Sequence, residues 1–124
     1  MPATYRSPCP VASALDILGD RWTLVVLRTI FVGCHKYNEL LAIPERISTN
    51  ILADRLALLE AEGLITKQPY QENPRRFEYR LTRAGADLLP VLHALAGWAS
   101  RHIPDRWTTP ASFREATPEQ FYPA

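Results

Sequence analysis

Side chains able to recognise a ligand gather at a few points of this chain. Ser48-Thr49-Asn50, with Asp54 and Arg55 one turn later, set short hydrogen-bonding groups at the head of an apolar-striped segment. An asparagine amide bonds an adenine edge in a bidentate way, a threonine bonds a base or packs on a thymine methyl, and Asp54 can accept from a cytosine amino group. The same set also suits an ordinary solvated helix face. Arg75 and Arg76 stand beside Asn73 and Pro74 in a polar turn. Long cations there suit phosphate or minor-groove contact, and equally a basic loop with no partner. Lys36 and Tyr37 begin another helical segment, where backbone amides, an ammonium and a phenol can meet phosphate. Tyr37 fits a core position as well. Arg55 can reach a phosphate, or pair internally with Glu39 or Glu60.

Cys9 stands between Pro8 and Pro10, at the expected N-cap of the first helix. Free amides and the helix dipole favour thiolate there, the form that oxidants attack, with Arg6 and more distantly Arg21 as cationic neighbours. The plain alternative is a small residue filling space. Cys34 adjoins His35 in a turn, and adjacency alone gives no triad. Two cysteines with His35, His93 and His102 form no C-x-x-C or comparable cluster, so no metal site is expected. The sequence also has no glycine-rich phosphate loop, no paired carboxylates at a strand end and no nucleophile elbow. Neither catalysis nor a cofactor is expected.

These groups need elements to hold them. Pro10 suits the first position of a helix that runs to Leu18 and stops at Gly19. Asp20 caps a second helix over 21–32, apolar almost all round and therefore central. A short helix spans 36–42. After the turn Ile43-Pro44-Glu45-Arg46-Ile47, Ser48 caps a helix over 49–62, with Leu52, Leu56 and Leu59 as its inner stripe and Gly63 as its stop. Two strands, 64–70 and 76–81, alternate in polarity and make a hairpin. Thr82 then caps a long helix to 103, kinked at Pro90. The order is helix, helix, short helix, capped helix, hairpin, long helix. It is a mainly α winged helix-turn-helix arrangement, with residues 1–103 as the DNA-binding and dimerisation domain and 104–124 as a Pro- and aromatic-bearing extension. The aromatic content of that extension predicts docking, not disorder.

The long helix carries two adjacent apolar stripes, Leu88-Leu92-Leu95-Ala99 and Val91-Leu95-Trp98-His102. One small domain cannot easily cover both, so a second copy is expected on Val91, Leu95 and Trp98, joined by Val11, Leu15 and Leu18 of the first helix. Composition fits one ordinary soluble domain of 124 residues, 47% hydrophobic and 22% charged. No signal-peptide pattern or apolar run of membrane-spanning length occurs, which predicts a cytoplasmic protein without a membrane partner. Net charge is only +1, but Lys67, Arg75, Arg76, Arg80 and Arg83 oppose only Glu72 and Glu78 within one short stretch. A basic patch on a nearly neutral molecule follows. Near-neutrality is also the one feature favouring a winged-helix protein-interaction module that does not bind DNA. A thiol enzyme built on Cys9 lacks catalytic partners.

The chain resembles the HxlR-type winged-helix transcriptional regulators, relatives of the MarR-like repressors, from about residue 9 to 102. Cys9-Pro10-Val11, Gly19-Asp20-Arg21-Trp22-Thr23-Leu24, Tyr37-Asn38-Glu39-Leu40, Ile47-Ser48, Gly63-Leu64-Ile65, Pro74-Arg75, Leu81-Thr82 and Leu89-Pro90-Val91-Leu92 carry the resemblance by their order and spacing. It implies a dimer on a pseudo-palindromic double-stranded operator, released by a small-molecule effector or a redox signal. It also implies a thiol-switch role for Cys9. Thr49 and Asn50 are shorter than the side chains such regulators often place there.

Overall fold

The computed structural model describes residues 4–124. Helix α1 spans Pro10–Leu18, α2 Thr23–Phe31, α3 Tyr37–Leu41 and α4 Thr49–Ala61; strands β1 (Ile65–Gln71) and β2 (Arg76–Leu81) follow. Beyond them lie α5 (Arg83–Ala86), α6 (Leu89–His102), the one-turn α7 (Ala111–Arg114) and a 3₁₀ turn at Pro118–Phe121. This is the mainly helical, hairpin-bearing architecture that the element order predicts.

Each start and stop has a local cause. Pro10 opens α1, where its missing N–H costs nothing. Asp20 accepts from the backbone amides of Trp22 at 2.8 Å and Thr23 at 3.0 Å, satisfying donors that α2 cannot satisfy internally. The Ser48 hydroxyl accepts from the Ile51 amide at 3.2 Å and caps α4. Gly63 takes φ +73°, a left-handed turn that releases the chain from α4 into β1. Thr82 accepts from the Gly85 amide at 3.1 Å and donates to the Gly63 carbonyl at 2.6 Å, tying the end of the hairpin back to the end of α4.

The core joins these elements. Val26, Leu27, Ile30 and Phe31 of α2 pack with Leu52, Leu56 and Leu59 of α4, Ile65 of β1, Tyr79 and Leu81 of β2, and Leu89 and Leu92 of α6. The expected stripe of α4 is thus the one buried, which leaves its N-terminal residues outward. Leu40, Ile43 and Ile47 pin α3 and the turn before α4 into the same core. Close approach also matters at Gly85. A Cβ there would lie 2.0 Å from the Leu64 carbonyl oxygen.

The hairpin is antiparallel, with Ile65 opposite Leu81 and Gln68 opposite Glu78; a register shift falls between Pro69 and Gln71. A third, rudimentary strand was not legible in the sequence. Lys36 bridges to Glu78, and the Tyr79 amide donates to the His35 carbonyl at 2.8 Å. Too few residues are involved to carry a period of two.

Pro90 shapes the last long segment as a break, not a smooth bend. Helix α5 ends at Ala86, Asp87 and Leu88 form a turn, and α6 restarts with Pro90 in its first turn. Proline offers no N–H to the Ala86 carbonyl, so the ladder is interrupted just before it. The tail then docks as its aromatics suggest. Phe121 meets Phe31 edge-on at 4.9 Å between ring centres, and Phe113 meets His93 likewise at 4.9 Å. Tyr122 donates to the Asp87 carboxylate and lies under Arg83, whose guanidinium sits 4.3 Å from the ring centre.

Candidate nucleic-acid interface

Three helices build the end that carries the candidate base-reading groups. α2 is central, α3 packs against it, and the turn after α3 passes through Arg46 at φ +62°. The chain then enters α4 with Ser48, Thr49 and Asn50 exposed at its N-terminus and Asp54 exposed one turn on. These are the groups expected to face base edges, and the fold turns them to solvent together. The half-buried Tyr37 donates its hydroxyl to the Thr49 carbonyl at 3.3 Å. It packs against the core, as one of its two expected readings has it, and also clamps α3 to the first turn of α4.

Arg55 pairs differently from expectation. Its partners are Asp20, at 3.3 Å, and the neighbouring Asp54, not Glu39 or Glu60. The reason is the packing of α2 against α4, which brings the capping carboxylate of α2 beside Arg55. Asp54 draws the Arg55 guanidinium further toward its charged form, despite partial desolvation. Burial works against the charge on Asp20. Hydrogen bonds from the Thr23 hydroxyl and the Trp22 and Thr23 amides, with Arg55 nearby, outweigh it and lower its carboxyl below the ordinary range. Asp20 therefore serves the start of α2 and, through Arg55, ties it to α4.

The hairpin supplies the cations. Arg76 is exposed and in none of the ion pairs found among the described residues, whereas exposed Arg75 lies 3.7 Å from Glu72. Lys36 sits over the Tyr70 ring at 4.6 Å, and Lys67 over Phe77 at 4.5 Å, with Arg75 on the same Phe77 at 5.4 Å. Together these residues line a cleft of about 300 Å³ between α3 and the hairpin. Aromatic faces hold the long cations extended. The two backbone amides just before α3 are less available than the sequence suggests. Glu39 accepts from the His35 and Lys36 backbone amides, each at 3.0 Å, and those bonds lower its carboxyl below the ordinary range. Lys36 contributes its side chain, not its amide.

The apolar residues divide. Trp98 is 56% exposed, and Val11, Leu15, Val91 and Leu95 are exposed too, whereas Leu18 is only 8% exposed. Leu18 is the one buried residue of α1 and offers little surface to a second copy, which corrects its place in the expected interface. Cys9 is exposed at the N-cap of α1, with no side-chain capping bond; Cys34 is half-buried, and both are free thiols. Arg6 does not attend Cys9 as expected. Its side chain bonds to Asp16, and its amide donates to the same carboxylate at 3.0 Å. Among the described residues no group of three or more metal-binding side chains occurs, and no helix is long and apolar enough to cross a membrane.

Known proteins share this arrangement. The family described as HxlR-like helix-turn-helix matches residues 17–107. The HTH-type transcriptional regulator Rv3095 of Mycobacterium tuberculosis is 37% identical over 110 residues, covering 86% of this chain and 67% of its own length. The reduced form of the transcriptional regulator YodB from B. subtilis superimposes with a TM-score of 0.65 at 28% identity, over 82% of this chain and 100% of that one. The redox regulator HypR in its reduced form gives 0.68 at 29% identity, over 77% and 95%.

Proposed function

This chain belongs to the HxlR-like helix-turn-helix family of DNA-binding transcription regulators, and from that premise we propose that it acts as a homodimeric repressor on a pseudo-palindromic operator. In this reading α4 enters the major groove. Thr49, Asn50 and Asp54 meet base edges there, with Ser48 and Arg55 holding the helix entry. Arg75 and Arg76 grip the flanking backbone, and Lys36 and Tyr37 approach the phosphates beside α3. The carrying observation is the separation of faces. The exposed polar start of α4 and the cations of the hairpin belong to the reading end, while the exposed apolar stripe of α6 with Val11 and Leu15 remains for a second copy.

That stripe supports the dimer, since a solvated run of Val91, Leu95 and Trp98 is costly unless covered. Two-fold symmetry would then set half-sites about one helical turn apart, roughly 34–36 Å. Selection of bound sequences from a random duplex library should return an inverted repeat with that spacing. A single unrepeated site, or a stable monomer in sedimentation at micromolar concentration, refutes the dimeric reading. Titration with salt separates it from a protein-interaction module, because phosphate binding weakens steeply as counterions are added.

Regulation by a small molecule or by oxidation completes the proposal. Cys9 supports the second route: it is exposed, free and at the head of α1, the helix that would join the dimer surface. A cysteine side chain oxidised by peroxide or alkylated by an electrophile gains bulk and polarity at that point. A bistable interface would convert the change into altered spacing of the two recognition helices.

A further inference from the structure

A second cavity, of about 390 Å³, lies between α2, α6 and the tail. Leu24, Val25, Leu92, Ala96 and Phe113 contribute apolar walls, and residues 107–110 of the tail close one side. Its size suits a small organic ligand. Val32 and Trp107 belong to the lining yet remain 59% and 81% exposed, so an occupant would cover apolar surface that now faces water.

The lining decides the class of occupant. Arg28 is its one charged side chain, and that guanidinium is already engaged. It donates to the two Glu45 carboxylate oxygens at 2.7 and 3.1 Å and to the Thr29 hydroxyl at 3.2 Å. No free cation is left for a carboxylate or phosphate, and burying such a group unpaired is expensive. The hydroxyl-bearing residues Thr108 and Thr109 can meet a single polar group, and the Thr109 carbonyl is tied to Arg114. We infer that this cavity binds an uncharged, largely apolar small molecule with at most one hydrogen-bonding group.

The walls also connect this site to the reading end. Pro44 lines it and belongs to the turn that leads into α4, while the Arg28–Glu45 pair ties α2 to the same turn. Leu92 and Leu95 place it against α6. An occupant therefore touches both the approach to the recognition helix and the helix of the dimer surface. It biases their relative placement only as far as it binds the two arrangements unequally. This link rests on the regulatory reading above; the cavity and its ligand class do not. Part of the wall, from Thr108 to Phe113, lies beyond the family match at residue 107, so the site is built partly from this chain's own tail.

Calorimetric titration of the full chain with 2-naphthol, and with 2-naphthoate as its charged counterpart, tests the inference. Saturable binding of naphthol is expected, with naphthoate weaker by about tenfold or more. Ala96→Phe fills the cavity from α6, and Val32→Glu puts a charge at its mouth. Each should weaken naphthol about tenfold with the melting temperature and oligomeric state unchanged. Absence of saturable naphthol binding, equal binding of naphthoate, or undiminished binding by Val32→Glu overturns the inference. So does naphthol binding that disappears as the chain self-associates, because a second copy would then fill the cavity. Duplex binding is measured on the same samples. Its absence with naphthol binding intact refutes the operator reading alone, and the reverse refutes the cavity alone.

Discussion

Replacing Asn50 and Arg76 one at a time should separate reading from gripping. Asn50 is exposed at the start of α4, with its amide free of any intramolecular bond found among the described residues. Removing a bidentate base contact costs about 1–3 kcal/mol, roughly 5- to 160-fold in affinity. Asn50→Ala should show that loss on a selected operator and almost none on random duplex. Arg76 stands outside the ion pairs found among the described residues, so its charge can displace counterions. Losing one phosphate contact lowers the slope of log affinity against log salt by about 0.9. Over a fourfold rise in salt, Arg76→Ala should then weaken about 3.5-fold less steeply than the parent chain. Arg75 should show a smaller change, because Glu72 at 3.7 Å already offsets part of its charge. Fluorescence anisotropy on selected and random duplexes across a salt series measures all three. Equal losses on both duplexes for Asn50→Ala would mean α4 does not read bases. An unchanged slope for Arg76→Ala would remove the hairpin from the backbone.

Three further outcomes follow from the geometry. Gly85→Ala places a Cβ against the Leu64 carbonyl, 2.0 Å away before relaxation, and should destabilise the fold by about 1–3 kcal/mol in denaturant titration. A neutral result would show that α5 moves freely against the hairpin. Asp20 and Glu45 have carboxyl groups lowered from ordinary values of 3.8 and 4.5, so the unfolded chain takes up their protons first as pH falls. Their contribution is full above those ordinary values and is lost as pH drops through the lower folded ones. Melting temperature should therefore fall below about pH 4.5, less steeply for Asp20→Asn, and a profile for that variant parallel to the parent's would refute the role of Asp20. Mild oxidant should weaken operator binding of the parent chain and of Cys34→Ser but not of Cys9→Ser. Unchanged affinity at full Cys9 modification, followed by mass spectrometry, would leave Cys9 as packing alone.

The sequence by itself determined the elements and their order, because their signals are local. Ser48 and Thr82 cap helices, and Asp20 accepts from the amides of the N-cap Trp22 and of Thr23 at the start of α2, each through a side chain two or three residues from the amide it serves. The stripe Leu52-Leu56-Leu59 selected the buried face of α4 and so left Thr49 and Asn50 outward. The surplus of apolar residues on α6 was likewise legible from spacing, as was the docking of an aromatic tail. Contacts between distant segments were decided only by the tertiary structure. Asp20 and Arg55 meet because α2 and α4 cross, and nothing in the spacing of those two residues announces it. His35 and Tyr79 join loop to strand, while Leu18 turns inward although it continues the spacing of Val11 and Leu15. The cavity under the tail depends on four separate segments converging. Caps and stripes are written within a few residues, so their physics is readable along the chain. Pairing and enclosure depend on where the remaining elements come to rest.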